Sequence, residues 1–265
     1  MKVVLFCGGL GTRIRDYSEN VPKPMIPIGH QPMLLHIMQY YSYFGHRDFI
    51  LCLGYKANVI REYFLNYNPA RDADCIISDF GKKVDIVGSG LPDWRVTLID
   101  TGVWRNIGER LMAVRHLLKD EEVFLANYSD GLTDLPLNDM INQLKSSDKA
   151  ACFVAVRPPF NFHLAEFNQQ GSVKRMRSSQ ESEIWINGGY FVFRNKVFDY
   201  IREGEELVFE PFNRLIADDR LLAYRYEGFW RGMDTLRDKQ ILEDSLEKGN
   251  MPWRLDGRAH AQPAS

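Results

Sequence analysis

Residues 1–24 constrain this chain more than any other stretch. Lys2–Cys7 is a short, largely apolar run that breaks into Gly8-Gly9-Leu10-Gly11-Thr12-Arg13, and Pro22-Lys23-Pro24 follows. A buried strand ending in a glycine-rich turn, with one cation directly after it and another about ten residues on, suits a polyphosphate. Glycines let the backbone approach the anion without a Cβ in the way, and free N–H groups can point at it. Arg13 offers a planar fork for two phosphate oxygens, and Lys23 a compact point charge. The turn is not the dinucleotide fingerprint, which read from Gly9 requires glycine or alanine where Ile14 stands. It is not a P-loop either, because no Gly-Lys-Ser/Thr follows at the right spacing. The plainer alternative is a strand and turn with incidental glycines, and the paired cations weigh against it.

Strand-like and helix-like patterns alternate along the chain. Lys2–Cys7, Asp48–Leu53, 95–99, 122–127 and 150–156 read as strands, with helices expected over 32–44, 57–67, 108–118 and 135–144. Continuous apolar strands separated by helices predict a largely parallel sheet covered on both faces. Beyond Arg157-Pro158-Pro159 the pattern becomes richer in β. A hairpin is expected around Gln169-Gln170-Gly171, strands over 185–194 and 221–226, and helices over 209–217 and 235–247. The expected fold is α/β: a Rossmann-like, mostly parallel sheet flanked by helices, with a smaller β-rich substrate lobe. One domain is expected over 1–254, divided into a nucleotide-binding part (1–157) and an acceptor-binding part (158–254). The polar tail 255–265 is expected to be disordered.

In open α/β sheets, ligands sit at the carboxyl ends of the strands. The glycine turn lies there, and so does Asp130, which follows the apolar Val123–Leu125 segment and precedes Gly131. A carboxylate at a strand end beside phosphates suits Mg²⁺, which takes one or two protein oxygens and completes its octahedron with phosphates and waters. Ser129-Asp130-Gly131 is equally an ordinary turn. A formal net charge of −2 gives no sign of general attraction to nucleic acid or membranes. Cys7, Cys52, Cys75 and Cys152 lack metal-site spacing and read as free thiols of a reducing compartment. No leader is evident and no apolar run reaches about 18 residues, so the expectation is a cytoplasmic, soluble protein. His30, His36, His46, His116, His163 and His260 show no metal-ligand pattern and read as structural or surface residues.

The pattern Gly8-Gly9-x-Gly11-Thr12-Arg13 with Pro22-Lys23-Pro24 resembles the sugar-phosphate nucleotidyltransferases, and most of all their glucose-1-phosphate cytidylyltransferase branch. Gly54-Tyr55-Lys56, Trp94–Gly102, Asn187-Gly188-Gly189 and Gly228–Asp238 extend the resemblance from residue 1 to about Trp253. It implies the nucleotide-diphospho-sugar transferase type of fold, and attack of an acceptor phosphate on the α-phosphorus of CTP with loss of pyrophosphate. It also implies that Gly8, Gly9, Gly11, Thr12, Arg13, Gly54 and Arg110 bind the nucleotide, and that Lys23, Asn187 and Gly188 bind the acceptor. Asp130 and Asp234 would hold Mg²⁺, and Arg13, Lys23, Asp130 and Asp234 would carry catalysis. The alternatives are a helix-surface cation for Arg110, a helix cap or turn residue for Asp234, and a glycine bulge for 187–189. The partners implied are CTP and a small phosphorylated acceptor, with a homo-oligomeric assembly.

Two family features are missing. The usual Phe-Gly reads Phe162-His163, and Ser178 and Ser179 stand where a Glu-Lys-Pro segment normally binds sugar hydroxyls and phosphate. Loss of an ion-pair partner for a buried phosphate costs about 2–5 kcal/mol without compensation. Arg175 or Arg177 are candidates to compensate. Two other functions therefore stand beside a glucose-1-phosphate cytidylyltransferase: a cytidylyltransferase for a non-hexose phosphate or phosphonate, and a non-catalytic nucleotide-binding protein.

Overall fold

A computed structural model describes residues 1–9, 11, 21–68, 70, 75–87, 93–159, 163–179 and 183–255. Thr12, Arg13, Phe162 and the tail from 256 onward lie outside the described residues.

The chain opens with β1 (Lys2–Phe6), followed by the two-residue strands β2 (Pro27–Ile28) and β3 (Gln31–Pro32) and helix α1 (Met33–Tyr43). Then come β4 (Asp48–Leu53), α2 (Ala57–Leu65), the hairpin strands β5 (Cys75–Ser78) and β6 (Lys83–Ile86), β7 (Arg95–Asp100) and α3 (Ile107–Ala113). The middle holds β8 (Val123–Asn127), β9 (Gly131–Thr133), α4 (Leu137–Lys145) and β10 (Ala151–Val156). The last part holds the hairpin β11 (His163–Phe167) and β12 (Val173–Ser178), then β13 (Ile186–Arg194), α5 (Glu210–Ala217), β14 (Leu221–Tyr226), β15 (Trp230–Gly232) and α6 (Leu236–Glu247).

Seven strands form the central sheet in the order β14-β10-β13-β8-β1-β4-β7. β1 runs parallel to β4 and β8, β4 to β7, and β10 to β14. β13 alone runs against its neighbours, β8 and β10. The β-rich stretch beyond residue 157 thus shares the main sheet through β13 and β14, while the β11–β12 hairpin pairs only with itself.

Alternation along the strands builds two cores. Val3 and Leu5 of β1 join Phe49 and Leu51 of β4 on one face, against α1, α4 and Leu242 of α6. Val4, Phe6, Ile50 and Cys52 face the other way, against Leu111 of α3 and Phe212 and Leu215 of α5. Burying each such side chain contributes about 1.5–3 kcal/mol, so a one-residue slip in β1 would strand both sets on the wrong face.

The helix expected over 108–118 divides. α3 ends at Ala113 and a 3-10 turn spans Arg115–Leu117. Val114 N–H turns back to Leu111 O at 3.3 Å, tightening the chain so that Val114 and Leu118 both reach the core. At the other end Asn106 and Glu109 cap each other's backbone N–H at 2.9 and 3.0 Å.

Three short pairings carried no periodic signal: β2–β3, β5–β6 and β9–β15. The β5–β6 hairpin exposes Ile76, Ile77, Phe80 and Val84.

Candidate active site

The crevice opens where β1 has β8 on one side and β4 on the other, with connections leaving in opposite directions. This is the switch point at which open α/β sheets bind ligands. Gly8 and Gly9 leave the end of β1 there. Behind them, Gly54 lies against Gly8: a Cβ on Gly54 would stand 2.8 Å from Gly8 O and 2.9 Å from Gly102 O. Only glycine allows those backbones to meet. Gly11 has φ +63°, a left-handed turn that glycine adopts at little cost.

Arg110 secures this arrangement. Its guanidinium donates to Gly8 O at 3.0 Å, Leu53 O at 3.0 Å, Val103 O at 3.2 Å and the Thr101 hydroxyl at 2.7 Å. At 2% exposure it is no helix-surface cation. Burial lowers its pKa, partly offset by surrounding groups. The side chain lines the crevice, but its fork is engaged by the ends of β1, β4 and the 101–103 loop.

Three charged groups converge from distant parts of the chain. Pro22 and Pro24 flank Lys23 in a 3-10 turn closed by Met25 N–H to Pro22 O at 2.8 Å. Lys23 Nζ donates to Asp130 Oδ2 at 2.9 Å and Asp234 Oδ1 at 2.7 Å. Burial by itself pushes the ammonium pKa down; the two carboxylates outweigh it and the net shift is upward. Asp130 reaches the spot through a left-handed Ser129 (φ +63°), whose N–H is held by Asn127 Oδ1 at 2.6 Å. Asp234 reaches it through the β9–β15 ladder, in which Gly131 pairs with Gly232 and Met233 N–H donates to Asp130 O at 2.8 Å. The cap of α6 is Thr235, in a box with Asp238, which leaves Asp234 for Lys23. Both carboxylates keep about a third of their surface in solvent (35% and 33%).

The cavity beside these groups holds about 460 Å³, within the range of roughly 300–1,000 Å³ for small-molecule sites. Gly8, Gly9, Gly11, Lys23, Arg110, Asp130 and Asp234 line it. Gly54 supports it from behind. Asn187 stands one layer out: its amide donates to the Tyr128 hydroxyl at 3.2 Å, and its carbonyl accepts Gly189 N–H at 2.9 Å. Gly188 O accepts from the Trp230 indole at 2.8 Å. Thr12 and Arg13 lie outside the described residues.

Sequence reasoning missed Tyr128, Trp104, Arg105 and Glu206, which also line the cavity. Tyr128 directly precedes Ser129-Asp130-Gly131, and the other three sit in no recognisable motif. An aromatic and a cation side by side, Trp104-Arg105, shortly after the strand expected over 95–99, were the available signal for those two.

No nucleophile presents itself among the described residues. Burial pushes the Cys7 thiol up to about 12, so it stays protonated at neutral pH. Ser129 is fully buried. No three His, Cys, Asp or Glu side chains among the described residues form a metal cage. An ammonium and two carboxylates beside a glycine-rich strand end are equipped to position phosphates and offset their charge.

Such a crevice belongs to enzymes that transfer nucleotidyl groups between phosphates. The chain is a member of the nucleotidyl transferase family, which it matches over residues 2–237. It is 40% identical over 256 residues to a glucose-1-phosphate cytidylyltransferase of Salmonella typhi, covering 96% of this chain and 99% of that one. It is 39% identical, with the same coverage, to the glucose-1-phosphate cytidylyltransferase of Salmonella typhimurium. A solved UDP-glucose pyrophosphorylase, in complex with UDP-glucose, has a TM-score of 0.66 at 14% identity, covering 94% of this chain and 98% of that one. At that identity the likeness speaks for the fold.

Proposed function

We propose that this protein joins CTP and glucose 1-phosphate to give CDP-glucose and pyrophosphate. The observation that carries the proposal is the meeting of Lys23, Asp130 and Asp234 at the glycine-lined crevice. Near-full-length relatives named glucose-1-phosphate cytidylyltransferase support CTP and a hexose phosphate over the non-hexose alternative. The retained charged triad argues against a non-catalytic role.

In the proposed reaction an oxygen of the sugar phosphate attacks the α-phosphorus. The bond from that phosphorus to the bridging oxygen of the β-phosphate breaks, and pyrophosphate leaves with the electron pair. The attacking oxygen is already anionic, so the step needs no general base. Lys23 would lie between the two reacting phosphates and offset their repulsion. The backbone of Gly8, Gly9 and Gly11 would carry the nucleotide, and Arg13, by resemblance, the leaving pyrophosphate.

Asp130 and Asp234 fit a divalent cation such as Mg²⁺. Their oxygens converge on one point, both remain partly open to solvent, and two carboxylates with phosphates and waters make a suitable hard donor set. When bound, the ion would neutralise phosphoryl charge.

No helix of the described residues is long and apolar enough to cross a membrane. All four cysteines are free, which supports a reducing, cytoplasmic setting. The apolar β5–β6 hairpin supports a homo-oligomer in which a second copy covers it. Light scattering of the wild type and of Phe80→Ser tests this: a monomeric wild type would refute it.

Pyrophosphate release with CTP, UTP, dTTP, ATP and GTP against glucose 1-phosphate, with and without Mg²⁺, tests the reaction. Release with CTP and Mg²⁺ is expected. Absence of release, or preference for another nucleotide, would overturn the proposal.

A further inference from the structure

Among the described residues, Glu206 is the one carboxylate of the cavity wall that lies away from the Lys23 cluster. It follows the turn after β13 and leans against the start of α3. One of its oxygens accepts Leu207 N–H at 3.0 Å and the other accepts Ile107 N–H, longer, at 3.4 Å. These amides fix the carboxylate without neutralising it, and among the described residues no cation pairs with it. Burial raises its pKa while the two amides act against that.

Tyr128 lines the same cavity. Burial raises the phenol pKa and the charge of Glu206 raises it further, so the phenol keeps its proton at neutral pH. The Asn187 amide already donates to the Tyr128 oxygen. The phenol proton is therefore left to donate elsewhere, and Glu206 can only accept. A fixed acceptor and a phenol donor lining one cavity, together with apolar Phe6 and Ile107, are the chemistry that reads sugar hydroxyls. It is poorly suited to a phosphate, which Glu206 would repel.

Resting on the cavity being the CDP-sugar site, we infer that Glu206 and Tyr128 bind hydroxyls of a sugar ring there. Glu206 accepts from the ring and Tyr128 donates to it. The hexose and the ribose present the same chemistry, and the assay separates them.

Calorimetric affinities of CDP-glucose, CDP and dCDP for the full chain provide the test, in wild type, Glu206→Ala and Tyr128→Phe. Tyr128→Phe removes one oxygen and keeps the ring against Phe6 and Phe191, so it reports even if Glu206→Ala fails to fold. Glu206→Ala should weaken CDP-glucose roughly 10- to 100-fold, as for a charge-assisted hydrogen bond, and Tyr128→Phe about 3- to 10-fold. Weakened CDP-glucose with unchanged CDP assigns the pair to the hexose. Weakened CDP and CDP-glucose with unchanged dCDP assigns it to the ribose. If the wild type binds all three ligands and both variants match it, the inference falls and the proposed function stands. A wild type that binds neither CDP nor CDP-glucose overturns both.

Discussion

Gly8 and Arg110 are 102 positions apart, yet the Arg110 guanidinium donates to the Gly8 carbonyl at 3.0 Å, and a methyl group on Gly8 would fall on that same guanidinium. The glycine is thus required for the arginine to pass as much as for a ligand to approach.

Arg110→Met should therefore be a stability variant first. It removes this donor from the carbonyls of Gly8, Leu53 and Val103. Leu53 O keeps the Thr101 N–H and hydroxyl, and Gly8 O keeps the Tyr55 N–H, so the cost falls mainly on Val103 O, at about 1–3 kcal/mol. A loss of about 1–3 kcal/mol would lower the melting temperature by roughly 2–12 °C in a chain of this size. Arg110→Lys should rescue little, because an ammonium cannot span the four acceptors. Calorimetric melting decides this, and an unchanged melting temperature would show the network to be dispensable.

Lys23→Ala should lower kcat by about 10²–10³-fold or more, the scale for removing a preorganised charge from a reacting centre. The fold should survive, since both carboxylates it leaves behind are one-third exposed and can hydrate. Without nucleotide, the variant should bind Mn²⁺ more tightly than wild type, because the ammonium no longer stands between the carboxylates. A Mn²⁺ titration followed by electron paramagnetic resonance reads this directly. Equal affinity would mean that Lys23 does not compete for the carboxylates.

Asp130→Asn and Asp234→Asn should each raise the Mg²⁺ concentration for half-maximal activity, by about tenfold or more for the loss of one anionic ligand. A Mg²⁺ titration unchanged by either substitution would remove that residue from the metal site.

His36 makes the protein sensitive to acid. Burial pushes its pKa down to about 4; the Ile28 carbonyl opposes that shift, while Arg254 and His30 add to it. The unfolded chain takes up this proton near pH 6.5 and the folded protein only near 4, so stability falls as pH drops through that window. The full effect is roughly 3 kcal/mol. His36→Gln should flatten the pH dependence of melting between 6.5 and 4. Part of the slope should persist, because burial also lowers His46 to about 4. A slope identical to wild type would exclude His36 as a contributor.

Much of this protein was legible from sequence because its signals are local. β1 and β4 are apolar runs ended by glycine, and α6 begins at Thr235 with Asp238 three residues on, so their positions follow from backbone preference and burial alone. The glycine turn and the Pro22-Lys23-Pro24 turn were visible for the same reason. Arg110 was open between surface and site, because its four acceptors come from β1, β4 and the loop after β7. Asp234 was open between cap and site until Thr235 was seen to take the cap.

Tertiary structure alone decided what meets what. Asp130 and Asp234 stand together because three-residue strands, β9 and β15, pair across the fold. Such strands are too short to show a period, and their glycines carry no side-chain pattern. Glu206 reaches the cavity wall through backbone amides, which leave no trace in residue identity. The sequence by itself determined the long strands, most of the helices and the glycine-rich turn, since each rests on short-range sterics and on the alternation of apolar residues. Which charges share the crevice depended on long-range pairing, and that is settled only when the sheet closes around its two cores.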